Sequence, residues 1–500
     1  MKSKRDLLHE LTDQNLLASQ RAQARCQLAI QLETEGDYDA ARETMSELWQ
    51  RVGDRPVLEG LDAETKGFVL LRTGVITGWI GSAKQITGAQ ETAKNLITES
   101  IEIFEKLREN SRIAEGQIEL ACCYWREGSF DEGRVVLNEA LRRLSDNDIE
   151  LKAKALLRSA IIEKDSKRFG DALGIHNEAA LLFEQLENHC LIGSFHNDFA
   201  IVLRNLGTAE NRQDYIDRAL IEYAAAAYHF EQAGHIRYQA CVENNLAFLF
   251  WKLQRFADAH HHLDRAQILF ARLKDDLHGV QVDETRARVL LAEGRVVEAE
   301  KAAHRAVRTF EKGDAWSLLA EALTTHGTAL ARLHRSDQAR EAFERASSVA
   351  EQTGDIQGAG LASLTMVEEL SKHLTNNDLC ITVDRAAKLL ADSREIAIVH
   401  RLAETATYVL SVVRNYLELP PTVDWSMFSF PEAVRRYEAH FIRLALKDAG
   451  GRITRAARLL GFKRHQTLTS LLKNRHKSIP VSRRKRSIIR PGDVRDKSEA

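Results

Sequence analysis

Proline is almost missing from this chain, at six in 500 residues. A chain so poor in the residue that stops helices, and so rich in Ala, Leu, Glu and Arg, is expected to be nearly all helical. Cysteine is equally scarce. Cys26, Cys122, Cys123, Cys190, Cys241 and Cys380 show no metal-ligand spacing and are expected as buried small hydrophobes of a cytoplasmic protein. No apolar run approaches the roughly 18 residues that a membrane span needs, so no membrane partner is expected. Met1-Lys2-Ser3-Lys4-Arg5-Asp6 leads into an amphipathic pattern with no long apolar run, so no signal peptide is expected. A phosphate-cradling loop is also missing. Gly81-Ser82-Ala83-Lys84 lacks both the glycine spacing and the Gly-Lys-Ser/Thr ending, and Gly74, Gly78 and Gly81 are expected to line one helix face for close packing. His260-His261-His262 cannot converge on one metal from consecutive helix positions, which lie about 100° apart, and is expected on a solvated face. With no nucleophile and no catalytic spacing, the chain is expected not to be an enzyme and to need no cofactor or metal.

Charge is balanced only in total. The formal net charge is -2, yet residues 431–500 hold 19 basic against 6 acidic side chains, a net of +13. The first 430 residues then hold 51 basic and 66 acidic side chains, a net of -15. An acidic body with a basic end implies a polyanionic partner at that end alone.

Within residues 24–350 one pattern recurs: a small residue, a second twelve later, and usually a third seven after that. The sets are Ala29/Ala41, Gly81/Ala93, Ala121/Gly133/Ala140, Ala160/Ala172/Ala179, Ala200/Ala219/Ala226, Ala247/Ala259/Ala266, Ala287/Ala299/Ala306 and Gly327/Ala339/Ala346, the fifth stretched by seven residues. Gly36, Gly88, Gly128 and Gly294 precede the second small position by five, and an aromatic often opens the next segment, as at Tyr38, Phe130, Phe169 and Phe256. Small residues let antiparallel helices approach and glycine turns the chain, so each set predicts a helix hairpin. Gly-Asp-Tyr-Asp-Ala-Ala (36–41) and Gly-Ser-Phe-Asp-Glu-Gly (128–133) resemble the tetratricopeptide (TPR) signature, with a period nearer 40 than the usual ~34 residues. The resemblance implies a solenoid of about eight hairpins whose concave face binds an unidentified protein or peptide. An N-terminal helix (1–23) precedes it, a helical cap (351–419) follows, and Pro420-Pro421 opens a linker (420–430).

Residues 431–480 read as three helices. Gly461 stops one short helix, Ala457 leaves room for the next to cross it, and Leu468 and Leu471 face back onto Ala457 and Leu460. The run Gly450-Gly451, Thr454, Ala456-Ala457-Arg458-Leu459-Leu460-Gly461 resembles the Fis-type helix-turn-helix that closes NtrC-like activators. Five residues, where that family has four, separate Phe462 from Leu468. The resemblance implies binding to double-stranded DNA, with a helix over 464–473 in the major groove. Expected contacts come from Lys463, Arg464, His465, Gln466, Thr467, Thr469, Ser470, Lys473, Arg475 and Lys477. Arg452, Thr454 and Arg455 are expected on a phosphate, and the tail residues Arg483, Arg484, Lys485 and Arg486 (481–500, expected disordered) on the backbone beyond. Val434, Tyr437, Phe441 and Leu444 form a stripe expected to pair with a second copy. The chain is therefore expected to be an all-α, partner-sensing transcription regulator. The alternative is a TPR adaptor whose terminal domain mediates protein contact or dimerisation.

Overall fold

The computed structural model describes residues 4–13, 16–84, 86–312, 315–393, 395–416 and 428–480, which form 23 helices and no strand. The chain divides into two units, Met1–Val413 and Arg414–Ala500. The first opens with α1 (Lys4–Leu11) and then runs as helix pairs. These are α2 (Ala18–Thr34) with α3 (Tyr38–Thr44), α4 (Ala63–Ala83) with α5 (Ala89–Leu107), α6 (Asn110–Glu127) with α7 (Phe130–Arg143), and α8 (Ile149–Asp165) with α9 (Phe169–Phe183). There follow α10 (His189–Glu210) with α11 (Gln213–Gln232), α12 (Ile236–Lys252) with α13 (Phe256–Arg272), α14 (Asp276–Ala292) with α15 (Val296–Phe310), and α16 (Trp316–Arg332) with α17 (Ser336–Gln352). Residues 351–413, expected as a cap, hold a further hairpin, α18 (Ile356–Leu370) with α19 (Asn376–Leu389), and then α20 (Ile396–Tyr416).

Every small residue of the repeat is buried, and the alanines among them are essentially inaccessible. Between α4 and α5 the reason is direct. A methyl group added at Gly74 would lie 2.7 Å from Ile97 Cγ1 and 3.1 Å from the Ala93 carbonyl oxygen. The stretched fifth set obeys the same rule. Ala200 precedes the turn residue Asn211 by eleven positions where other sets have seven, and Ala219 follows it by eight where others have five. Four residues on one helix and three on the other add about one turn to each, so the facing ridges keep their register. The added layer places Gly207 against Ile216.

All eight hairpin turns of residues 18–352 pass through a left-handed residue. Gly36, Gly88, Gly128 and Gly294 take four of these positions, and Lys167, Asn211, Gln254 and His334 the rest at φ 53–62°. Successive first helices also touch one another, while each second helix packs against the first helices on either side. The first helices therefore line the inner side of the curve.

The solenoid turns far enough to meet itself. A methyl group at Gly36, whose φ is +80°, would sit 2.6 Å from His235 Cε1, and Tyr38 lies beside Tyr238. His235 stacks on Tyr238 at 3.8 Å between centroids, and its Nδ1 accepts the Tyr238 N–H at 3.2 Å, capping α12. Burial pushes its pKa down to about 4, which keeps the ring neutral and able to accept. Tyr38 also stacks on Trp79 at 4.9 Å, with the Arg126 guanidinium 4.3 Å from the Trp79 ring. Inside this closed half the inner face carries buried ion pairs. Arg72 donates to Glu33 (2.8 Å) and Glu115 (3.4 Å), and Lys154 to Glu119 (2.5 Å).

The second unit holds α21 (Phe430–Asp448), α22 (Ile453–Leu459) and α23 (His465–Asn474). Its core joins Ile442, Ala445, Leu446 and Ala449 to Ala456, Ala457, Leu468, Leu472 and Ile479. Leu472, four residues after Leu468, is the second buried anchor of α23, and Leu471, expected in that place, is only half-buried.

Two glycines of one turn type should respond differently to alanine. Gly36→Ala adds a clash with His235 to the left-handed strain and is expected to destabilise the first unit by ~2–4 kcal/mol in urea unfolding. Gly128→Ala, with nothing within 4 Å, should cost only about 1 kcal/mol. Equal losses would remove the contact between the two turns as a source of stability.

Candidate functional site

The open part of the inner face forms a cavity of about 890 Å³, lined chiefly by α8, α10, α12, α14, α16, α18 and α20. It has two chemically different ends. Towards α14–α20 the charges are matched: Arg288 pairs with Glu284 (2.5 Å) and Glu321 (2.8 Å), Arg332 with Glu369 (2.7 Å), and Arg401 with Glu368 (2.7 Å). Thr325 donates to Glu284 at 2.7 Å, next to Thr324 and Thr328 on the same wall.

Towards α10–α12 the matching stops. Phe248 has three cations around its ring, with Arg204 at 4.6 Å, Lys252 at 5.7 Å and Arg288 at 5.8 Å from the centroid, and Lys252 also lies 4.6 Å from the Trp251 ring. Arg204 is 9% exposed; its Nη1 donates to Tyr223 Oη at 3.3 Å, and its Nε has no hydrogen-bond acceptor. Among the described residues neither Arg204 nor Lys252 has a carboxylate within ion-pair distance. Burial, then Arg288, Arg204 and Arg401, bring the Lys252 pKa down to about 8, with Glu395 opposing. Beside them the Asn244 side-chain oxygen is buried without a partner, while Asn245 donates to Asn197 at 3.0 Å. Ring faces, unmatched cations and amides that both donate and accept suit an elongated polar ligand carrying an anionic group. None of these residues was singled out from sequence. Asn244, Asn245, Phe248, Trp251 and Lys252 share α12, while Arg204 stands 40 positions before Asn244 and Arg288 stands 40 after Phe248, so that only the stacking of hairpins brings these two to the others.

The second unit carries the residues that sequence did single out. Arg452, Thr454, Arg455, Lys463, Arg464, His465, Gln466, Thr467, Ser470, Lys473 and Lys477 are all exposed. Arg464 occupies the position before α23, with no capping bond from its side chain, after the turn at Gly461 (φ 74°). Thr469 is half-buried, its Oγ1 donating to the His465 carbonyl at 3.1 Å. Arg475 is tied back to Glu438 at 3.1 Å, which His476 Nε2 also reaches at 3.1 Å, so it pins α23 to α21. On α21, Tyr437, Phe441 and Leu444 remain 42%, 53% and 48% exposed and Val434 half-buried, because Ile442, Ala445 and Leu446 take the inward face. The tail residues Arg483, Arg484, Lys485 and Arg486 lie outside the described residues, as does most of the linker.

Two lesser expectations need correction. His260 and His262 are half-buried rather than solvated, the first 2.9 Å from Glu293 and the second 2.6 Å from Glu243, so the triplet splays to separate partners. Cys380 is exposed, and Cys190 and Cys241 are only half-buried.

No protein-family model matches the chain, and no curated protein matches it. Solved structures do. A Rap protein complexed with Competence and Sporulation Factor is similar at a TM-score of 0.53 and 15% identity, over 77% of this chain and 99% of that one. Yeast Tom70 gives 0.40 at 13% identity (84% and 86% covered), and a tetratricopeptide repeat protein from Parabacteroides merdae 0.38 at 15% (59% and 98% covered). At these identities the likeness concerns the fold: the chain is an all-α, TPR-like helical solenoid. Among the described residues no helix is long and apolar enough to cross a membrane.

The depressed Lys252 pKa has a direct chemical consequence. Below about pH 8 the amine is protonated, and above it is free, two or so pH units before an ordinary lysine. Limited reaction with an amine-specific reagent at pH 8.5, followed by peptide mapping, should label Lys252 ahead of the exposed lysines. Labelling no faster than that of Lys388 would contradict the electrostatics described.

Proposed function

We propose that the solenoid is a receptor for a segment of a protein partner, held along the open half of its inner face. The observation that carries this reading is the unmatched Arg204–Phe248–Lys252 group beside the partnerless oxygen of Asn244. Buried polar groups left without partners are costly unless a ligand completes them. The fold likeness to a Rap protein solved with a bound factor supports a ligand on this type of scaffold. Occupancy, rather than chemistry, is the output. Panning the full chain against a random peptide library should enrich sequences whose affinity falls at least ~10-fold in Asn244→Ala/Phe248→Ala, as expected when two central contacts are removed. Peptides that bind the double variant as well as the wild type would place recognition elsewhere.

A second reading concerns the terminal unit, for which we infer docking on duplex DNA as a dimer. Support comes from the resemblance to Fis-type domains, from Arg464, His465 and Gln466 exposed at the amino end of α23, and from the +13 balance of residues 431–500. Arg can fork onto guanine and Gln onto adenine. The exposed Tyr437–Phe441–Leu444 stripe, with steps of four and three, is what a partner α21 would cover. Fluorescence anisotropy of the full chain with a random duplex should show binding that falls by ~10³–10⁵ between 50 and 200 mM salt, as for some 6–10 phosphate contacts. Arg464→Ala/Gln466→Ala should weaken it and leave the oligomer intact, whereas Phe441→Ser should yield monomers by light scattering. An oligomer lost with Arg464 and Gln466, and no duplex retained by the wild type, would instead favour an adaptor.

A further inference from the structure

We propose that Glu300, His304 and His326 form a site for one divalent transition-metal ion of the zinc class, which staples two successive hairpins together. Glu300 and His304 stand four residues apart on α15, hence on one face, and His326 projects from the antiparallel α16. One ligand atom from each lies within 4.8 Å of the other two. The imidazoles of His304 and His326 are 5.2 Å apart between centroids at 48°, and His326 Nε2 lies 3.5 Å from Glu300 Oε1. That distance is long for a hydrogen bond, and Nε2 is buried with no other partner. A buried ring nitrogen without a partner is costly, and a metal ion would remove that cost.

The donor set selects the ion. Two imidazoles with one carboxylate suit Zn²⁺ and its neighbours, not Mg²⁺ or Ca²⁺, which require oxygen. Bonds of about 2.0–2.2 Å put donors on one zinc roughly 3–3.5 Å apart, so closure needs side-chain rotations on the order of an ångström. His304 is exposed, which leaves a coordination position to water. One group competes: Arg335 Nη1 sits 3.6 Å from Glu300 Oε1, but its side chain is 54% exposed and free to swing into solvent. Burial lowers the His326 pKa, with Glu300 opposing and His304 adding to the effect. The other histidine groups are arranged differently. His262 and His196 are each taken up by a carboxylate at 2.6 Å, and His189 and His229 face one another at 2.8 Å without a free carboxylate.

The staple would join the α14–α15 hairpin to the α16–α17 hairpin. Since α16 also carries Thr324, Thr325 and Thr328 into the cavity, the ion would fix that wall. The test uses the tag-free full chain, stripped with chelator and titrated with Co²⁺ and Zn²⁺. One equivalent of Co²⁺ should give the visible absorption of a four- or five-coordinate nitrogen and oxygen site, displaced by Zn²⁺. Zinc should slow amide exchange in α15 and α16. His304→Gln and Glu300→Gln should each lower Zn²⁺ affinity at least ~10-fold, while His189→Gln should leave it unchanged. His304 lies on the surface, so its variant is expected to fold, which circular dichroism checks. Absence of the cobalt spectrum in the wild type, or its persistence in His304→Gln, or its loss in His189→Gln, would overturn the assignment.

Discussion

The first unit depends on one constraint: at each hairpin crossing the facing side chain can be no larger than a methyl group. Ala29 and Ala41, Ala160 and Ala172, Ala287 and Ala299 are buried to within 1%, and at the glycines that take the same place an added methyl group would meet the facing helix, as Gly81 would meet Ala89 and Gly327 the Phe343 ring. That closeness fixes the relative height of the two helices, which in turn fixes where the chain must turn. The left-handed position at the turn follows from the crossing and not from the residue placed there. Lys167, Gln254 and His334 accept φ near +60° at a cost of ~1–2 kcal/mol each, because the crossings above them leave no other path. The longer fifth hairpin makes the same point: added length is tolerated when it arrives as one turn on each side, since the crossing then stays in register.

From the stacking of these crossings comes the curvature, and from the curvature the division of the inner face. The contact of Gly36 with His235 closes the amino-terminal half on itself, and Arg72, enclosed there, is matched by Glu33 and Glu115. Such matching offsets the cost of an ion held away from water, although Arg158 in the same half has no carboxylate within ion-pair distance among the described residues. Beyond that closure the inner face opens and the matching is incomplete around Phe248. The difference between the two halves is therefore one of solvent access, with the same helix arrangement serving as interior in one and as a cavity wall in the other.

The hairpins were legible because their signal is local: a twelve-residue offset between small residues needs no knowledge of the fold. In the terminal unit Gly461 takes the left-handed turn and Ala457 and Leu468 are buried, as their residue types imply, although Leu472 replaces Leu471 as the inner anchor. A further regular signal was available and unread: Phe104, Phe183, Phe230, Phe270 and Phe310 each follow the second small residue by eleven, and each is buried. The hairpin of α18 and α19 was not legible, since its close packing uses Gly360 against Leu390, outside the repeated offset. The cavity was not legible at all. Arg204, Asn244 and Arg288 read as ordinary polar positions of amphipathic helices, and their convergence is a property of superhelical curvature, which no short window of sequence encodes.

Buried polar atoms without partners occur along the whole first unit, and three of them fall where other groups converge: Arg204 Nε and Asn244 Oδ1 belong to residues lining the cavity, and His326 Nε2 stands beside Glu300 and His304. Arg204 and Asn244 share a wall of the cavity, while His326 stands on the side of α16 that faces α15. An apolar side chain of similar size would have avoided the desolvation cost at each position and kept the packing. Polar groups held there fit the two proposals, an anionic, elongated ligand for the first pair and a Lewis acid for the imidazole.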